Sequence, residues 1–140
     1  MSEYVYLIAP ILGWVVAQTL KFVISLRKDG LQWGDAMQSG GMPSSHSAFM
    51  TALTTVIGIN ISVTSVAFGI AASLTAIIVY DAIGVRRTTG QQTDAIAELA
   101  KATNHKLKTT IVISRGHSVA EVTVGCIVGV LVGVLVAVVL

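Results

Sequence analysis

The chain has 140 residues, 54% hydrophobic and 11% charged, with a formal net charge of +2 and one cysteine. An ordinary soluble domain carries about 25% charged residues, so this composition excludes a water-soluble globule. The length suits one membrane-embedded domain over residues 1–140; the net charge says little about nucleic acid, and no interleaving of basic and aromatic residues supports such binding, while a lone cysteine, Cys126, excludes an intrachain disulfide.

The charges are segregated, since Tyr4–Leu20, Ala48–Tyr80 and Val122–Leu140 contain none. About 20 apolar residues cross the hydrocarbon core. Only Glu3 precedes the first apolar run, without the basic region of a signal peptide, so that run reads as a retained span. The first span is expected over Tyr4–Leu26, with Pro10 either kinking it or marking its start and Trp14 inside it. Lys21, Ser25 and Lys28 share one helical face, with Arg27 off it. Lys21 either snorkels to the interface or points into the bundle as a functional cation. A polar loop, Lys28–Met42, follows, with a turn at Lys28-Asp29-Gly30, Trp33 as an interfacial anchor and Asp35 as a solvated carboxylate.

Gly40-Gly41-Met42-Pro43-Ser44-Ser45-His46-Ser47 leads into the second span, Ser44–Asn60. Pro43 suits a first helical turn, Ser44 or Ser45 can cap it, and the free amides with the helix dipole favour an anion. His46 then faces whatever the turn holds. Alone, the motif reads equally as an N-cap beside a surface histidine. The uncharged run is too long for one helix, and Gly58–Ser62 supplies a turn before a third span, Val63–Ile83. That span ends in Tyr80-Asp81-Ala82-Ile83-Gly84-Val85-Arg86-Arg87. Asp81 either pairs with Arg86 or Arg87 at the membrane edge, or one arginine holds a phosphate with its planar fork.

The second polar loop, Thr88–Lys108, is expected to contain a short helix capped by Thr93 or Asp94 and ended by Asn104. Its stripe of Ile96, Leu99, Ala100, Thr103 and Leu107 suits the membrane surface. His105 beside Lys106 and Lys108 reads as solvent-facing, and Thr109–Ile113 as either an extended approach to the next helix or its first part. Ser114-Arg115-Gly116-His117 introduces the last span, Ser118–Leu140. His117 and Glu121 stack one turn apart, and Gly125, Gly129 and Gly133 form a small-residue strip for close helix packing. Four alternating spans gather all nine Lys and Arg residues, and every acid except Glu3, on one side. Lys21, His46, Asp81, Arg86, Arg87, Arg115, His117 and Glu121 then lie at one level. Phosphoryl transfer through a histidine fits this set: His117 with Glu121 as nucleophile and orienting carboxylate, His46 as proton donor, and Lys21, an arginine and the Ser44/Ser45 turn around the phosphate. A zinc site is the competing use of two histidines and a glutamate, which the surrounding cations disfavour.

These residues resemble the phosphatidic acid phosphatase type 2 and vanadium haloperoxidase superfamily. Pro43-Ser44-Ser45-His46 looks like its Pro-Ser-Gly-His element, His117-Ser-Val-Ala-Glu121 like its His-x-x-x-Asp element, and Lys21 with Arg27 like its upstream Lys…Arg element. The whole chain is most similar to a small, divergent membrane branch. The resemblance implies that His117 attacks phosphorus, Glu121 supports it and His46 protonates the leaving group, with no metal or other cofactor. Ser45 replaces the family glycine, Glu121 replaces aspartate, Arg27 follows Lys21 by six positions rather than seven, and Arg115 lies two residues before His117 where the family arginine lies six before. Arg86 or Arg87 is therefore an alternative phosphate-holding arginine. The expectation is an all-α integral membrane bundle of about four transmembrane helices with a short interfacial helix. Its expected activity is hydrolysis of a membrane lipid phosphate, with substrate contacts from Lys21, Arg27, Ser44, Ser45, Asp81, Arg86, Arg87 and Arg115. The rival readings are a non-catalytic protein that binds or moves anionic head groups, and a structural protein forming homo-oligomers through Gly125, Gly129 and Gly133. The positive loops place the site on the cytoplasmic side of the cell membrane.

Overall fold

The computed structural model describes residues 3–29, 41–104 and 116–140. The described residues form five helices and no strand: α1 (Val5–Asp29), α2 (Ser45–Asn60), α3 (Val66–Ile83), α4 (Val85–Ala102) and α5 (Val119–Val139). Three stretches are long and apolar enough to cross a membrane: Val5–Arg27, the α3 part of Val66–Ala102, and Val119–Val139. At 16 residues, α2 is shorter than a full span. It is flanked on two sides, by α1 and by α5, and α3 folds back beside it as an antiparallel hairpin.

Small residues set this arrangement. A Cβ at Gly13 of α1 would lie 2.9 Å from the Ala48 carbonyl oxygen and 3.0 Å from the Ala52 Cβ. Gly125, Gly129 and Gly133 of α5 lie against Ser44 and against Ala48, Thr51, Ala52 and Thr55 of α2. The glycine strip is therefore buried within the chain. The homo-oligomer expected through Gly125, Gly129 and Gly133 is corrected on this point, because α2 already occupies the face those glycines present. The α2–α3 pair adds a polar contact, with Thr54 Oγ1 and Thr75 Oγ1 2.8 Å apart, and Phe68 packs on Gly58. A hydrogen bond between hydroxyls gives two helices a directional contact where lipid supplies no hydrophobic drive. The apolar cluster Val5, Ala9, Val56 and Val136 closes the far end. Large side chains elsewhere point outward, with Val66 81% and Val138 77% exposed, as lipid-facing surface requires.

Several boundaries differ from the sequence reading. The first helix starts at Val5 and carries Pro10 within it, buried, so Pro10 is not its start. Pro43 stands before the N-cap Ser44, not in the first turn. The third span begins at Val66, with Ser65 as its cap. The helix expected from Asp94 begins at Val85, only Gly84 separating it from α3. Thr88, Thr89 and Thr93 donate to the carbonyls of Gly84, Val85 and Thr89. Such back-bonding lets hydroxyl residues sit inside a helix where composition suggests a loop. Asn104, with φ of 51°, lies just past the end of α4. Trp33, Asp35, His105, Lys106, Lys108, Thr109–Ile113 and Arg115 lie outside the described residues.

Candidate active site

The end of the bundle opposite the apolar cluster gathers the polar residues, and backbone hydrogen bonds register the pieces. Ser44 N donates to the Glu121 carbonyl (3.0 Å), which ties the start of α2 to the first turn of α5. His117 N donates to the Ala82 carbonyl (3.0 Å), which ties the segment before α5 to the end of α3. Gly116 passes directly over the Arg86–Arg87 peptide, where a Cβ would collide with the Arg87 amide nitrogen. Gly41, with φ of +80°, brings the turn before α2 against the Lys21 stem; a side chain rarely tolerates that backbone.

His117 is 6% exposed, and its Nδ1 lies 3.1 Å from Glu121 Oε2. The same oxygen accepts from Ser118 N at 3.0 Å, while Ser118 Oγ accepts from Glu121 N at 3.3 Å. This is a capping box, and it fixes the glutamate with two reciprocal bonds. A carboxylate only accepts, so Nδ1 carries the proton and Nε2 keeps a free lone pair. Burial lowers the His117 pKa from its ordinary 6.5, Glu121 opposes the shift, and the charges of Lys21 and Arg86 add to it. The imidazole is therefore neutral at pH 7.

Lys21, 8% exposed, points into the bundle rather than outward, close enough to interact with Glu121. His46 is exposed at the start of α2, and Arg86, His117 and Lys21 are the charges that act on it. Arg86 Nε meets Asp81 Oδ2 at 2.6 Å on a partly open surface. Asp81 thus orients Arg86 and, carrying the same charge as a phosphate, is corrected from a substrate contact to an arginine partner. Arg87 contributes backbone beneath Gly116 while its side chain is exposed. Arg27 is exposed, and six residues at about 100° each place it about 120° around α1 from Lys21, so the structure does not bring it to the site. The serine hydroxyls are also engaged: Ser44 accepts from Ser47 N and Ser47 Oγ, and Ser45 donates to Gln18 at 2.8 Å. Both serines are buried, so the open donors of this turn are the backbone amides of Ser45 and His46, which make no hydrogen bond among the described residues. Sequence reasoning gave no role to Gln18, Ser47 or Gly116. Gln18 carried a usable signal, a polar side chain inside a span and three residues before Lys21.

The three long apolar helices define a multi-pass membrane protein, and one end of its bundle holds a buried histidine paired with a glutamate, a second histidine, a lysine, an arginine and a helix N-terminus. The chain belongs to the Divergent PAP2 family, whose family model matches residues 2–132. It is 38% identical over 93 residues to the uncharacterized membrane protein YuiD of Bacillus subtilis (strain 168), a match covering 66% of this chain and 57% of that relative. No solved structure matches the chain.

Proposed function

We propose that this chain is a membrane lipid-phosphate phosphatase that works through a phosphohistidine. The observation that carries the reading is the His117 Nδ1–Glu121 contact of 3.1 Å at a buried imidazole, because it leaves Nε2 as a neutral nucleophile. In the first step Nε2 attacks phosphorus, the bond from phosphorus to the lipid oxygen breaks, and that oxygen takes a proton from His46. In the second, His46 removes a proton from water as the water oxygen attacks phosphorus, the Nε2–phosphorus bond breaks and inorganic phosphate leaves. Lys21, Arg86 and the free amides at the start of α2 stabilise the charge on the equatorial oxygens. The site sits at the membrane edge of a lipid-embedded bundle, which suits a phosphate carried on a lipid tail. The positive loops support an orientation with the site at the cytoplasmic face.

Phosphate release from a panel of lipid phosphates by purified protein in detergent, with chelator present, tests the reading. The expected result is release that resists chelator and falls by about 10³-fold or more in His117→Ala. Wild-type protein that binds phosphate and releases none from any lipid would leave a head-group-binding protein in place of an enzyme.

A further inference from the structure

The bond between Ser45 and Gln18 belongs to none of the roles above, and it joins two helices at the level of the site. Ser45 Oγ donates to Gln18 Oε1 at 2.8 Å across 27 positions of sequence. Ser45 is 4% exposed and adjoins both His46 and Ser44, whose amide is bonded to α5. Gln18 lies one helical turn before the buried Lys21. Both ends of the bond are thus attached to groups placed around the phosphate: the proton donor and free amides on one side, the buried cation on the other. The glycine of the resembled element has no hydroxyl with which to make this bond.

We propose that Gln18 is a positioning residue for the proton donor: through Ser45 it holds the first turn of α2, and with it His46, at the level of Lys21. This rests on the phosphatase reading. A rotamer-fixed donor matters most when the leaving oxygen is basic. An alkoxide leaves poorly without a proton, whereas nitrophenolate leaves without one. Loosening the turn therefore slows the two kinds of ester unequally, which a general loss of structure does not do.

The experiment compares dodecyl phosphate with 4-nitrophenyl phosphate for wild type, Gln18→Met, Ser45→Ala and the double variant, in detergent. Methionine keeps the bulk of glutamine without the acceptor and is at home in a membrane helix. The expected result is a kcat/KM, which reports the first step and not the hydrolysis shared by both esters, lower by about tenfold on dodecyl phosphate and by no more than about twofold on 4-nitrophenyl phosphate in each single variant. The double variant falls no further than either single, since both remove one bond. Equal losses on both esters, losses that multiply in the double variant, or wild-type rates throughout would overturn the proposal while leaving the phosphatase reading standing. A wild type that releases no phosphate from either ester or from any lipid phosphate would remove the phosphatase reading and this inference with it.

Discussion

At the scale of the residue, the chemistry turns on which protonation state His117 holds. Burial acts first to lower its pKa below 6.5, Lys21 and Arg86 act in the same direction, and the hydrogen bond and charge of Glu121 oppose them. A nucleophilic imidazole must be neutral, and its neutral fraction falls as pH drops through the pKa. The acid limb of kcat/KM is therefore expected below pH 6.5, and a limb at or above pH 7 would contradict the assignment. Glu121→Gln removes the opposing contribution, so the limb moves further toward acid while the rate falls by about 10²-fold, because the ring loses its orienting carboxylate. The His117–Glu121 pairing could be read from sequence, since four residues are one helical turn. The role of Ser44 and Ser45 could not: the motif shows two hydroxyls beside a histidine, but whether they face a ligand or the neighbouring helices depends on what packs there. For Asp81 the sequence offered a pairing with Arg86 or Arg87 as one of two readings, and the contact with Arg86 is the one the structure makes.

At the scale of the element, α2 is a short helix packed against Gly13 of α1 and the glycine strip of α5, and close approach sets its place. A Cβ at Gly129 would lie 2.5 Å from the Ala48 carbonyl oxygen and 2.8 Å from the Thr51 Cβ. Backbone cannot yield there, so α5 must move off α2, and Gly129→Ala is expected to destabilise the bundle by about 1–3 kcal/mol. Gly69, at an open position on α3 with nothing near its Cβ site, is the control. Gly69→Ala should be neutral or stabilising by up to about 1 kcal/mol, from helix propensity. Thermal unfolding in one detergent, followed by helical circular dichroism, compares them; a Gly129→Ala protein as stable as Gly69→Ala would show that the interface yields. The long apolar helices were legible because hydropathy and length suffice for a span. The partner of the glycine strip was not, since a spacing of four describes a face and says nothing of what covers it. The early start of α4 was hidden because its threonines satisfy their hydroxyls on the helix's own carbonyls, a choice that composition leaves open.

At the scale of the whole molecule, one end is apolar and the other carries the charge. The cluster of Val5, Ala9, Val56 and Val136 stands at the first end, while Lys21, His46, Arg86 and His117 meet at the second. Helix α4 leaves that second end directly from α3 and presents Ile96 and Leu99 unpartnered, 53% and 65% exposed, as a helix lying along the lipid surface would. Its charged residues Lys101, Glu98 and Asp94 therefore mark which side of the membrane the site faces. Positive residues concentrate on the cytoplasmic side, but Lys21 and Arg86 are assigned to the proposed site, so the orientation rests on the others at this end, Lys101 among them. A cysteine at position 101 gives the answer directly: Lys101→Cys in a Cys126→Ser background, labelled with a membrane-impermeant maleimide. The prediction is labelling in inverted vesicles or broken cells and none in intact ones. Labelling of intact cells would turn the molecule over and put the site on the outer face. Because α3 runs into α4 with one residue between them, the same result orients the α3 end, and through the His117–Ala82 bond the proposed nucleophile. One labelled position thus locates the face from which, on the proposed phosphatase reading, a phosphorylated lipid reaches His117.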